Sequence, residues 1–137
     1  MFYYQGRLID HIHLKVSDFP RSRDFYCALF DALDLTDLIH GGRDWLEIDE
    51  LYIDGCEPGQ EPSRVHLCFQ APDRIAVDRA HAAGLATGGR DNGAPGLRDY
   101  HPGYFAAYLL DPDGNNIEVK FDERARTRSA PAVRVEG

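Results

Sequence analysis

The sequence predicts an α+β domain in which one strand–helix–strands unit is used twice. Three observations predict it. Two segments, 10–17 and 64–71, alternate polar and apolar residues, and each is followed by an aspartate and a stretch of helical period. Setting His66 on His11, an offset of 55, superposes the two stretches, with Leu67 on Ile12, Cys68 on His13, Phe69 on Leu14 and Asp73 on Asp18. Near the end, two strand-like runs flank the tight turn Asp111-Pro112-Asp113-Gly114, whose proline and glycine positions suit a type I turn. The 137 residues fit one domain, 1–137. Its first module spans about 8–55 and its second about 64–122, and 123–137 form a basic, Ala/Pro-rich tail with no apolar period, expected to fray.

In the first strand Ile12, Leu14 and Val16 point one way, while His11, His13 and Lys15 point the other. Asp18 caps the helix that follows, Pro20 is tolerated in its first turn, and Phe25, Tyr26, Leu29, Phe30 and Leu33 give it an apolar face. Short strands are expected around 38–40, 45–48 and 51–53, broken by Gly41-Gly42 and by Asp49-Glu50. Residues 55–63, rich in Gly, Pro and Glu, read as a linker. In the second module Asp73 caps a helix from about Arg74 to a stop at Gly84, with Val77, Ala80 and Ala83 inward. Residues 88–103 read as a long glycine-rich connection before the strands 104–110 and 116–121.

Composition removes several function classes. The net charge is −8, with 6 basic and 13 acidic residues before position 70 and 9 and 10 after it. A nucleic-acid binder needs a clustered basic surface, so no nucleic-acid partner is expected. No apolar run approaches the ~18–20 residues that cross a bilayer, and the start lacks the layout of a secretory signal, so no membrane partner is expected. Cys27, Cys56 and Cys68 form neither a disulfide framework nor a metal motif, which suits a reducing, cytoplasmic setting.

The strand parity places chemistry. His11 and His66 occupy repeat-equivalent positions on the faces away from their helices. In the last strand Ile117, Val119 and Phe121 form the apolar set, leaving Glu118 and Lys120 on the open face. A lone strand histidine is ordinarily structural and a glutamate after a turn ordinarily solvated. Two imidazoles and a carboxylate obeying one parity rule instead suit a divalent Fe, Mn, Ni, Co or Zn ion with open positions for substrate.

At these residues the chain resembles the vicinal oxygen chelate superfamily, that is, the glyoxalase/bleomycin-resistance/dioxygenase family. The carrying segments are Asp10-His11-Ile12-His13-Leu14-Lys15-Val16-Ser17-Asp18 with Arg23-Asp24-Phe25-Tyr26, then Val65-His66-Leu67-Cys68-Phe69, and Leu110 through Glu118. The resemblance runs from about residue 8 to 122. It implies two βαβββ modules whose mixed sheets curl into a cup, one divalent metal per site, and His11, His66 and Glu118 as its ligands. It also implies a homodimer whose sites are shared between chains, with His11 from one and His66 and Glu118 from the other. His13 and Cys68 would line the cup, and the substrate would be a small molecule chelated through neighbouring oxygens, turned over by a lyase, isomerase, dioxygenase or thiol transferase.

One departure stands out. Glyoxalase I enzymes carry a fourth ligand, a glutamate, on the last strand of the first module; here Leu51-Tyr52-Ile53-Asp54 offers Tyr52 or Asp54, and Glu47 lies one strand earlier. Tyr108 and His101 are the candidates for proton transfer. Arg90 and Arg98, in the long connection, could hold a carboxylate or phosphonate, or serve as surface ion-pair partners. His81 is expected to pack at its helix edge. The competing reading is a metal-free protein that sequesters an aromatic or cationic drug, favoured by the negative charge and by Trp45, Tyr52, Tyr100, Tyr104, Phe105 and Tyr108. A degenerate member with structural histidines is the third.

Overall fold

A computed structural model describes residues 2–125, 127 and 132–137, which form ten strands and two α-helices. The first module holds β2 (Ile12–Val16), α1 (Phe19–Ala32), β3 (His40–Gly41), β4 (Trp45–Ile48) and β5 (Leu51–Gly55). The second holds β6 (His66–Gln70), α2 (Arg74–Ala86), β7 (Arg90–Leu97), β8 (Tyr104–Leu110) and β9 (Asn116–Asp122). Each module makes its own four-stranded mixed sheet, in the orders β2-β5-β4-β3 and β6-β9-β8-β7. The first strand of each runs parallel to the last, Ile12 beside Leu51 and Leu67 beside Ile117, and the remaining pairs are antiparallel. This is the repeated βαβββ plan of an α+β fold.

The helices begin as the caps dictate. The Asp18 carboxylate accepts from the Arg21 amide at 3.2 Å, and the Asp73 carboxylate accepts from the Ala76 amide at 2.7 Å. The inward residues of both sheets join Phe25, Tyr26, Leu29 and Phe30 of α1 and Ala76, Val77 and Ala80 of α2 in a shared apolar core. Alternation along the strands then puts the polar side chains on the sheet faces turned away from that core. The modules are also tied by polar bonds. The Tyr26 hydroxyl donates to the buried Asp111 carboxylate at 2.5 Å, and Ser17 donates to Asp113 through its amide at 3.0 Å and through its hydroxyl. No helix among the described residues is long and apolar enough to cross a membrane.

Four local expectations change. The strand expected around 38–40 gives way to a 3-10 turn, Thr36–Leu38, and β3 starts only at His40 and includes Gly41. Gly84 does not stop α2, which runs on to Ala86; a Cβ there would lie 2.4 Å from Leu109 Cδ1 and 3.1 Å from the Phe25 ring, so the glycine serves a close approach. The long connection is not a loop throughout, because Arg90–Leu97 pairs with β8 through two register shifts near Gly93 and Gly96. Those irregularities, with φ +150° at Gly93, erase the period-two signal that would have revealed a strand. At the termini, β1 (Phe2–Gln5) pairs antiparallel with β10 (Val133–Glu136), although the tail showed no apolar period. Tail residues 126 and 128–131 lie outside the described residues.

Candidate functional site

The open face of the second sheet is built around Glu118. Register places Glu118 between Cys68 on β6 and Tyr108 on β8. Parity put it on the open side, yet its side chain is 5% exposed, because two phenols roof it. Tyr108 donates to Oε2 at 3.2 Å, and Tyr104 donates to the same oxygen. Burial pushes both phenols above their ordinary range, followed for Tyr104 by the Glu118 carboxylate and for Tyr108 by a hydrogen bond with Tyr100 and then by Glu118. Both therefore stay protonated and act as donors.

His66 Nε2 lies 3.1 Å from Glu118 Oε1, and its Nδ1 lies 3.0 Å from the Asn116 carbonyl. A carbonyl only accepts, so Nδ1 carries a proton. A neutral ring would then turn the lone pair of Nε2 toward a carboxylate oxygen, two acceptors face to face. Either a second proton or a cation must reconcile them. Ligand bonds of ~2.1 Å meeting near a right angle separate two donor atoms by ~3 Å, so the spacing fits a shared divalent ion. The Nδ1–carbonyl bond is also the orienting contact that metal-bound histidines ordinarily make.

His11 stands elsewhere. Just ahead of β2, it is 66% exposed, lies 2.7 Å from the Asp10 carboxylate, and shares a depression with His13, Glu47, Tyr52 and Asp54 on the first sheet. Within one chain the structure thus joins His66 to Glu118 and leaves His11 apart. No group of three or more His, Cys, Asp or Glu that could hold a metal occurs among the described residues.

The other candidates divide between the two faces. His13 Nε2 meets Asp54 at 2.7 Å and sets its ring edge-on to Tyr52, which lies parallel to Trp45 with centroids 5.9 Å apart. Lys15 Nζ also reaches Asp54, at 3.0 Å. Burial raises the Asp54 carboxyl, but the bonds from His13 and Lys15 outweigh it and hold the group below its ordinary value. On the second face, burial and then Glu118 push the Cys68 thiol up to about 12, so Cys68 lines the site as a neutral group. The Arg98 guanidinium lies 5.3 Å over the Tyr108 ring and donates to the Ala94 carbonyl at 2.7 Å. Arg90 is exposed at the start of β7. His101 packs edge-on to Tyr104, with Nε2 3.4 Å from Asp122, whose carboxyl is lowered to about 2 by its bonds with Arg124. His81, in α2, is buried and meets Asp91 at 3.0 Å.

Tyr104, which the sequence offers only among the aromatics of the drug-sequestration reading, joins the Glu118 cluster. Its signal was its spacing, two pleats from Tyr108 on one strand face. Beside it, a cavity of about 620 Å³ runs along Cys68, Gln70, Lys120 and Asp122.

The family model of the Glyoxalase/Bleomycin resistance protein/Dioxygenase superfamily matches residues 8–119. The chain belongs to this superfamily. A solved glyoxalase/bleomycin resistance protein from Albidiferax ferrireducens T118 is 30% identical to this superfamily member, with a TM-score of 0.66 over 81% of this chain and 95% of that one. A glyoxalase/bleomycin resistance protein/dioxygenase family enzyme from Burkholderia phytofirmans PsJN is 19% identical, with a TM-score of 0.62 over 82% and 96%. A structure named lactoylglutathione lyase, from Agrobacterium tumefaciens, is 17% identical, with a TM-score of 0.60 over 90% and 99%. The last two, at these identities, establish likeness of fold. Among curated proteins, none matches the chain.

Proposed function

We propose that the protein is a cytoplasmic, divalent-metal-dependent enzyme acting on a small molecule held through two neighbouring oxygens. His66 and Glu118 of one chain and His11 of a second copy are the ligands in this reading, and the twofold dimer has two equivalent sites. The observation that carries it is the 3.1 Å approach of His66 Nε2 to Glu118 Oε1, with Nδ1 already committed to a carbonyl. His11, exposed on the other sheet, is the group such a pair lacks.

When bound, a divalent ion there supplies Lewis acidity toward the substrate's oxygens. The chain's own groups do the rest. Tyr108 donates a hydrogen bond from above the site, Cys68 and Arg98 bound it, and His101, oriented by Asp122, carries a proton at its rim. Arg90 stands at the far end of the strand that carries the Arg98 corner. From the second copy, His13 and Tyr52 line the opposite wall. Superfamily membership and the neighbour named lactoylglutathione lyase support a lyase or isomerase; a dioxygenase is the other reaction class in this reading.

Elemental analysis of protein purified without a chelating tag tests this, with about one Fe, Mn, Ni, Co or Zn expected per chain. His66→Ala and Glu118→Ala should each lose the metal while light scattering still shows a dimer, and unchanged occupancy in both refutes the site. Assays with methylglyoxal plus glutathione, catechols plus oxygen, and fosfomycin plus thiols then select the reaction.

A specific observation favours a second reading, metal-free sequestration of an aromatic or cationic drug. Trp45 and Tyr52 pave a cavity of about 310 Å³ that Asp44, Asp54 and Glu57 surround with negative charge. Silence in all three assays, together with tight binding of such a drug, selects it.

A further inference from the structure

Glu118 is a carboxylate whose two oxygens live in different surroundings. Oε1 faces His66 Nε2 at 3.1 Å, whereas Oε2 accepts hydrogen bonds from the phenols of both Tyr104 and Tyr108. A carboxylate oxygen has about two lone-pair sites, so two phenols fill Oε2 and leave Oε1 as the oxygen with capacity to spare.

We infer that Tyr104 is a positioning residue that makes Glu118 a one-oxygen ligand, keeping Oε2 from turning toward a bound cation. The inference rests on the metal reading above. Tyr104 is built for the task. On β8 it pairs with Asp122, two pleats from Tyr108, so its hydroxyl must reach diagonally back along the sheet to Glu118. Its ring is fixed in that direction from several sides. Lys120 Nζ lies 4.7 Å from the centroid, Tyr100 packs edge-on at 4.9 Å, and His101 does so at 5.2 Å. Tyr108, under the Arg98 guanidinium, supplies the weaker of the two bonds by distance and stands directly across the ladder from Glu118. The consequence is an open coordination position. A carboxylate gripping with both oxygens would occupy room that a substrate offering two oxygens requires, and the phenols forbid that grip without adding charge.

Tyr104→Phe keeps the ring and its packing and removes the donor. Cobalt(II) is the probe, titrated into metal-free wild type and variant, with visible absorption reporting coordination number and the infrared carboxylate stretches reporting one- or two-oxygen binding. Wild type should give an intense visible band and widely split stretches. Tyr104→Phe, read at cobalt saturation of the folded protein, should lose several-fold in band intensity and show narrowed splitting, whether or not its melting temperature falls with the lost hydrogen bond. Tyr108→Phe should move both readouts in the same direction by less. Cobalt uptake with spectra identical in wild type and Tyr104→Phe overturns the inference and leaves the metal reading intact. No uptake by wild type overturns both. A merely structural tyrosine would lower the melting temperature of Tyr104→Phe and leave the splitting where it was, which also overturns the inference.

Discussion

The two modules repeat one backbone plan and divide its chemistry unequally. Because Ile12 pairs with Leu51 as Leu67 pairs with Ile117, Tyr52 holds the register position in the first sheet that Glu118 holds in the second. On the first face the polar groups satisfy one another locally, Asp54 taking both His13 and Lys15, with Tyr52 spent on Trp45. On the second, a buried carboxylate collects two phenols and an imidazole. The helices differ in the same way. At the 55-residue offset, Phe25 and Leu29 of α1 answer to Ala80 and Gly84 of α2, and Tyr26 answers to His81. Bulk on one helix meets a smooth surface on the other. A repeat thus preserves register and packing direction, and leaves each module free to carry its own half of a site.

Three perturbations would break or sharpen this contrast. The largest effect is expected at Asp111, which belongs to the second module's turn and accepts from Tyr26 of the first and from Asn115. Asp111→Ala leaves those buried donors unsatisfied, and urea denaturation should show a loss of about 4 kcal/mol. A loss below about 1 kcal/mol would mean that the Tyr26–Asp111 bond adds little to the apolar packing between the modules.

Next is Gly84→Leu, which installs the first module's counterpart residue where Leu109 and Phe25 already stand. Overpacking should cost about 3 kcal/mol in the same measurement. A neutral result would show that the two helices are interchangeable at this crossing.

The smallest effect is expected at Asp54. Its carboxyl is held below the ordinary value, so its pairing stabilises the fold above pH ~4 and is lost as pH falls through the lowered pKa. Asp54→Asn should therefore lower stability at pH 6 by less than ~1 kcal/mol, and the deficit should shrink as pH falls through the lowered pKa. A deficit that grew toward low pH would reverse the assigned sign.

Much of this architecture was legible beforehand because local rules agree over long stretches. Alternation marked β2 and β6, Asp18 and Asp73 marked the helix starts, and the Asp-Pro-Asp-Gly turn marked the last hairpin. The strand β7 was hidden because glycines and register shifts blur its period, and Gly84 passed for a helix stop because a close approach and a C-cap use the same residue. Parity alone placed His66 and Glu118 on one face. It could not tell that Glu118 would be buried, since the cover comes from Tyr104 and Tyr108, fourteen and ten residues earlier on another strand.

The sequence by itself determined which residues share a strand face, because side-chain alternation is a property of the backbone that no distant contact alters. The tertiary structure alone decided which of those faces came together, and which oxygen of Glu118 was left with capacity. Hydrogen-bond partners across a sheet follow from register and from the packing of rings against one another, and these are settled only when the whole chain is folded.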